Sequence, residues 1–191
     1  SQLAFKEPSR GGRDNRFRDD LLTTGATPLL RAAQTFDNDV VALLLAHGAL
    51  VDLPNASGVT PFMAAAGIGT RNAAGVTGAG PPENVIALSL QTLELLRKAG
   101  ADVNAQITDV TSLTARIART NTMTGRQGQT ALFLAADTGR TEVVRYLIEH
   151  GARADLMDDA GKTVLDLVQG RGEGGGPDNA RTKEIVMLLQ T

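Results

Sequence analysis

The chain has 191 residues with a net charge of −2, is 42 % hydrophobic and 21 % charged, and so can bury a core without any pull of its overall charge toward nucleic acid or a membrane surface. Aromatics make up only 3 %, with one tyrosine (Tyr146) and no tryptophan, so Leu, Ala and Val must build that core, which suits small, closely packed helices. The absence of cysteine excludes disulfides, thiolate metal sites and a cysteine nucleophile, and leaves the redox compartment open; the longest apolar run, Val40 to Ala46, is too short to span a bilayer.

In chain order, the sequence begins at Ser1 without a Met and reads as a mature or trimmed chain, compatible with a removed leader. Four segments then open alike: Gly25-Ala-Thr27-Pro-Leu-Leu, Gly58-Val-Thr60-Pro-Phe-Met, Gly128-Gln-Thr130-Ala-Leu-Phe and Gly161-Lys-Thr163-Val-Leu-Asp. The first two are 33 residues apart, and so are the last two. Three segments close alike, in His47-Gly48-Ala49, Ala99-Gly100-Ala101-Asp102 and His150-Gly151-Ala152. The opening Gly gives the turn positive φ, Thr caps free helical N–H groups, and Pro28 and Pro61 fall in a first turn where a missing N–H costs nothing. Small residues follow (Arg31-Ala32-Ala33, Leu134-Ala135-Ala136), and a second helix carries apolar residues at helical spacing: Val40, Val41, Leu43 and Leu44, then Val143, Val144, Leu147 and Ile148. The closing Gly is a helix C′ residue.

These residues resemble the ankyrin repeat family, whose motif runs roughly Gly-x-Thr-Pro-Leu-His, Ala-Ala, Gly, Val, Leu-Leu, Gly-Ala-Asp-x-Asn. The resemblance covers about residues 21 to 191, and Asp102-Val103-Asn104-Ala105 matches the connector after a repeat almost letter for letter. It implies an all-α ankyrin-repeat solenoid: helix-turn-helix repeats with protruding finger loops, here with two long insertions. One departure is systematic. The motif's His is replaced by Leu30, Met63, Phe133 and Asp166, so apolar packing is expected to stand in for it in three copies. The long interrupted repeats, rich in Gly, Ala and Arg, resemble bacterial members of the family.

Deviations from the period carry further information. The second repeat is 42 residues from opening to closing Gly against 23 in the first and third, an insertion of 19. Gly69 to Pro82 reads as its loop, before a helix from Asn84 to Lys98 with Val85, Ile86, Leu88, Leu93, Leu95 and Leu96 on its buried side. A second insertion of 18, within Gln106 to Arg126, lies on the finger side. Gly170 to Pro177 reads as a shorter, mobile interruption, with a closing helix from Thr182 to Gln190. Residues 1–20 parallel the second insertion and read as an extended finger of a preceding repeat in a longer array.

Candidate chemistry is sparse. Gly161-Lys162-Thr163 ends like a phosphate loop, but the required upstream Gly falls at Leu156, and the repeat motif accounts for the triplet. His47 and His150 occupy equivalent helix ends, where an imidazole meets the last carbonyls; they form no catalytic pair and no metal cluster. Asp19-Asp20 and Asp158-Asp159 lack the alternating spacing of a calcium loop. Asn55-Ala-Ser57 spells a glycosylation triplet, read as unused. No catalytic, cofactor or metal residue is assigned, and no enzyme activity is expected. Arginine is the more informative charge: Arg10, Arg13, Arg16 and Arg18 sit in the first long finger, Arg116, Arg119 and Arg126 in the second. Projecting from one face, they would favour carboxylates or a polyanion. Internal pairing with Glu7, Asp14, Asp19, Asp20 and Asp109 is the plainer account.

By the family pattern, the inner helices are expected to expose Arg31, Gln34, Thr35, Ala64, Leu134, Asp137 and Thr138 on a concave surface. With the long fingers and the 67–83 stretch, this surface is expected to bind a protein partner as a monomer, through repeats at about 21–53, 54–105, 106–155 and 156–191. Two alternatives stand beside this: a regulatory or anchoring segment of a larger protein, with chiefly intramolecular contacts, and polyanion binding through the arginine fingers.

Overall fold

In a computed structural model, the chain is described over residues 25–67, 84–108, 126–172 and 179–190. Residues 1–20, the 68–83 stretch and positions 109–125 lie outside these ranges, and with them the expected fingers and loop.

The described residues form helices in pairs, without strands. α1 (Pro28–Thr35) pairs with α2 (Asn38–Ala46), α3 (Pro61–Ala66) with α4 (Val85–Lys98), α5 (Ala131–Asp137) with α6 (Thr141–Glu149), and α7 (Val164–Gly172) with α8 (Asn179–Leu189). The pairs stack in two rows: each of α1, α3, α5 and α7 packs on the next in an inner row, and α2, α4, α6 and α8 do the same in an outer row. This is the all-α repeat solenoid that the resemblance implies.

Local chemistry sets the helix starts. Thr27 Oγ1 accepts from the Leu30 N–H at 3.0 Å, and Thr60 Oγ1 from Met63 N–H at 3.3 Å, each with Pro in the first turn. At α7 the cap is reciprocal: Thr163 Oγ1 accepts from Asp166 N–H at 3.3 Å, while Asp166 Oδ2 accepts from Thr163 N–H at 2.8 Å. Thr130 is the exception, with no cap bond from its side chain. The helix ends are also shared. Gly48, Gly100 and Gly151 take φ of +79°, +94° and +89°, and Ala49, Ala101 and Ala152 each donate to the carbonyl five residues back at 2.9–3.0 Å.

Apolar packing does replace the missing His: Leu30, Met63 and Phe133 are all buried in one continuous core that runs from Leu29 to Ile185. In the fourth copy Asp166 is exposed and serves as the cap partner instead.

Three local expectations need correction. The buried side of α4 is Ser89, Thr92, Leu93 and Leu96, whereas Ile86 is exposed. Polar atoms are satisfied there: Ser89 Oγ donates to the Ala65 carbonyl at 2.7 Å, and Thr92 Oγ1 donates to Leu88 O at 2.9 Å and lies 2.6 Å from Asn38 Oδ1. The buried stripe is therefore rotated from the one that counting Val, Ile and Leu selects. Second, α7 continues through Gly170 to Gly172, so the expected interruption begins later; positions 173–178 are outside the described residues. Third, α8 starts at Asn179, ahead of the expected Thr182.

Candidate interaction surface

The finger roots are the most regular part of the surface. Asn55 and Asp158 each stand three residues before an opening Gly and organise a tight turn. Asn55 Oδ1 accepts from Ser57 and Val59 N–H, both at 3.0 Å, and Asp158 Oδ1 accepts from Ala160 and Lys162 N–H, both at 3.0 Å. Asn55 is buried with its amide oxygen so engaged. Asp158 Oδ1 is thus engaged by its own backbone.

Successive fingers are tied by a ladder. Asp52 accepts from Asp102 N–H at 3.1–3.2 Å; Asn104 Oδ1 accepts from Arg153 N–H at 2.8 Å while its amide donates to Gly151 O at 3.0 Å. Burial raises the Asp52 pKa, with the Asp102 backbone N–H opposing it. Gln106 Nε2 adds bonds to Gly128 O at 2.7 Å and Met157 O at 3.0 Å. The approach is close enough that the opening glycines matter. A Cβ on Gly58 would run into the Thr108 backbone, and one on Gly128 would sit 2.9 Å from Asp158 Cα and Asp159 N.

The inner row differs from its expected exposure. Arg31 is half-buried, with Nη1 donating to Gln34 Oε1 at 3.1 Å; Thr35 is exposed and its hydroxyl donates to Arg31 O at 3.0 Å; Thr138 is half-buried with its hydroxyl on Leu134 O at 2.9 Å. Gln34, Ala64, Leu134 and Asp137 are buried, because the small side chains of the inner helices let the rows close over them. Asp137 holds Arg126 in a 2.8 Å ion pair, so this arginine anchors the base of the second long finger. The pairing expected within the fingers is thus met at this position by an inner-helix acid. Arg10, Arg13, Arg16, Arg18, Arg116 and Arg119 lie outside the described residues.

The histidines stay with their own helices. His47 Nδ1 lies 2.8 Å from Leu43 O, and His150 Nδ1 lies 2.7 Å from Tyr146 O, each a ring N–H donating to a last-turn carbonyl. Among the described residues no group of His, Asp or Glu is placed to hold a metal ion, and no helix is long and apolar enough to cross a membrane.

Sequence reading missed two side-chain clusters. On the outer row, Glu94 takes both arms of Arg97 at 2.9 Å and the Tyr146 hydroxyl at 2.7 Å. The Arg97 guanidinium first, then the phenol, hold the Glu94 carboxyl down at about 2, while burial and the Glu94 contact push Tyr146 up to about 12. At the edge between the two rows, Phe36 is a left-handed residue (φ 57°) whose ring lies under the Arg140 guanidinium, 5.9 Å from its centroid. Aligning the repeats would have found it: Phe36 stands 11 residues after Gly25, where the third copy has Gly139 (φ 68°).

Comparison with known families agrees with this architecture. A model of ankyrin repeats in three copies matches residues 89–171, and a single ankyrin-repeat model matches 24–56, together more than half of the chain. Ankyrin repeats are in general protein-interaction modules. The repeated caps, the two stacked rows and these matches show that the chain belongs to the ankyrin repeat family.

Proposed function

We propose that this chain is a non-catalytic recognition module that binds a protein partner through the inner-row edge and the long finger loops, with repeats divided at about 53/54, 105/106 and 155/156. The observation that carries this reading is the finger ladder. Bonds from Asp52 to Asp102 and from Asn104 to Gly151 and Arg153 hold consecutive finger roots in fixed relation, so these roots are ordered before a partner arrives. Pre-ordering reduces the entropy lost on association. Arg31, Thr35 and Thr138 are the candidate contacts of the inner row; the arginines of 1–20 and 109–125 extend the surface by proposal.

A second reading is favoured by α2. Val40 is 38 % exposed and Leu43 58 % exposed, while Val143, at the same offset from its opening Gly as Val40, is fully buried in α6. An uncovered apolar stripe at a stacking position suits an anchoring segment whose α2 packs on another part of a larger protein.

The test is capture of partners by the purified chain at low and high salt, repeated with an Arg31→Ala, Thr35→Arg double variant. A discrete protein that survives high salt and is lost with the variant supports the recognition reading. Capture that the variant leaves intact, or no capture at either salt, counts against it. Nucleic acid or mixed acidic material released by salt would favour the polyanion reading, since phosphate contacts release counterions.

A further inference from the structure

Among the described residues, Arg140 has no carboxylate paired with it. It stands at the start of α6 and its side chain reaches back over two helix pairs along the edge between the rows. Nε lies 3.0 Å and Cζ 3.3 Å from where a Cβ on Gly67 would be, so the guanidinium passes over the end of α3 closely enough that a side chain there would push it aside. Beyond it, Cζ stands 5.9 Å from the centroid of the Phe36 ring. Nη1 is buried and, among the described residues, has no hydrogen-bond partner. Four other arginines show the contrast: Arg97 faces Glu94 at 2.9 Å, Arg126 faces Asp137 at 2.8 Å, Arg145 faces Glu184 at 3.1 Å and Arg153 faces Asp155 at 2.7 Å. Burial lowers the Arg140 pKa and no carboxylate opposes the shift.

A guanidinium has five N–H donors, and taking one out of water unpaired is unfavourable. Contact with a ring near 6 Å offsets only a small part of that. The backbone is also arranged around it: Phe36 keeps a left-handed conformation that a bulky residue rarely adopts, and in doing so holds its ring beneath the cation. Three consecutive pairs therefore contribute one element each: an aromatic floor, a glycine gap and a cation whose Nη1 has no hydrogen-bond partner among the described residues.

We propose that Arg140 is a carboxylate receptor, and that the partner presents an acidic side chain to it at the edge between the two rows. This rests on the protein-recognition reading and adds to it the chemistry of the partner and a contact point away from the fingers. The carboxylate would accept two parallel N–H bonds from the guanidinium, the arrangement for which arginine is suited.

The probe is sodium acetate, titrated into the full chain against sodium chloride at equal ionic strength while the arginine Nε–Hε resonances are followed by NMR. Arg140→Lys identifies the Arg140 signal by its loss. The expected result is a saturable acetate-dependent shift of the Arg140 resonance that chloride does not produce and that Arg97 and Arg153, already paired, do not share. Glu83→Gln, which removes the one acidic residue between Gly67 and α4, is titrated alongside. A response in the wild type means that the receptor is open to an external carboxylate and supports the proposal; a response gained only in Glu83→Gln means that the chain supplies the carboxylate itself and overturns it. If Arg140 responds no more than Arg97 and Arg153 in both proteins, the receptor does not exist, whatever partner the module binds. Arg140→Met separates receptor from structural roles: with no ion pair to lose, its melting temperature should equal or exceed that of the wild type. A large fall in Tm would make Arg140 a structural residue and overturn the proposal.

Discussion

Replacing Gly128 by Ala tests the finger stacking more sharply than any core truncation, because Gly151 provides a control in the same helix pair. Both glycines are left-handed, with φ of 80° and 89°. A side chain there costs about 1–2 kcal/mol in backbone strain, offset by roughly 0.4–1 kcal/mol from the smaller conformational freedom of the unfolded chain. Gly151→Ala meets nothing within 4 Å and should therefore lose only about 0.5–1.5 kcal/mol, by the same strain and entropy terms. Gly128→Ala also places a methyl 2.9 Å from Asp158 Cα and Asp159 N, which are backbone atoms that cannot rotate away. Overpacking adds about 1–3 kcal/mol, so the total loss should be about 1.5–4.5 kcal/mol. Urea unfolding of both variants, followed by helical circular dichroism, measures the difference. Equal losses would refute the close approach between the turn at Gly128 and the following finger.

Further outcomes follow from the same geometry. Leu147→Ala, which empties a fully buried position in α6, should cost ~2–5 kcal/mol in urea unfolding; a loss well under 1 kcal/mol would place that helix wrongly. Arg126→Ala removes the pair with buried Asp137 and should cost about 1–3 kcal/mol in the same assay, with unchanged stability contradicting an anchoring role. Tyr146 is the only tyrosine, so ultraviolet titration reads it alone: its midpoint should be near 12 and should fall toward the ordinary 10 in Glu94→Gln. Because the folded phenol is raised, its contribution is intact below pH 10 and is lost as pH rises toward 12. Glu94 acts in the opposite sense. Its carboxyl is lowered from 4.5 to about 2, so its stabilisation holds above pH 4.5 and is lost as pH falls toward 2, and Glu94→Gln should flatten the acid limb of stability in that window.

The repeat was legible in the sequence because its signals are local. Gly, Thr and Pro at fixed offsets act on the backbone of their own turn, and the structure keeps Gly25, Gly58, Gly128 and Gly161 at positive φ with Thr capping in three of the four copies. The exception, Thr130, follows the long 106–126 connector. The α4 face was misread because Ser89 and Thr92 are buried with their hydroxyls donating to the Ala65 and Leu88 carbonyls, which a hydrophobicity count cannot register. The site was less legible still. Leu134 and Asp137 were placed on the surface by a pattern that fixes direction from the helix axis, not how closely neighbouring rows close over it. Arg140 and Phe36 are 104 residues apart, and their meeting depends on the stacking of three helix pairs and on a glycine at 67. Repeat alignment exposes Phe36 as an aromatic at a glycine position; no local signal marks Arg140.

The central claim, recognition through the inner-row edge and the fingers, is tested most directly by hydrogen exchange on the chain with and without a captured partner. The account predicts added protection at the ends of α1 and α5, around Thr35 and Thr138, and at the finger roots 49–57, 101–108 and 152–162. Protection confined to the outer row, above all to α2 around Val40 and Leu43, would contradict it and favour the anchoring segment instead.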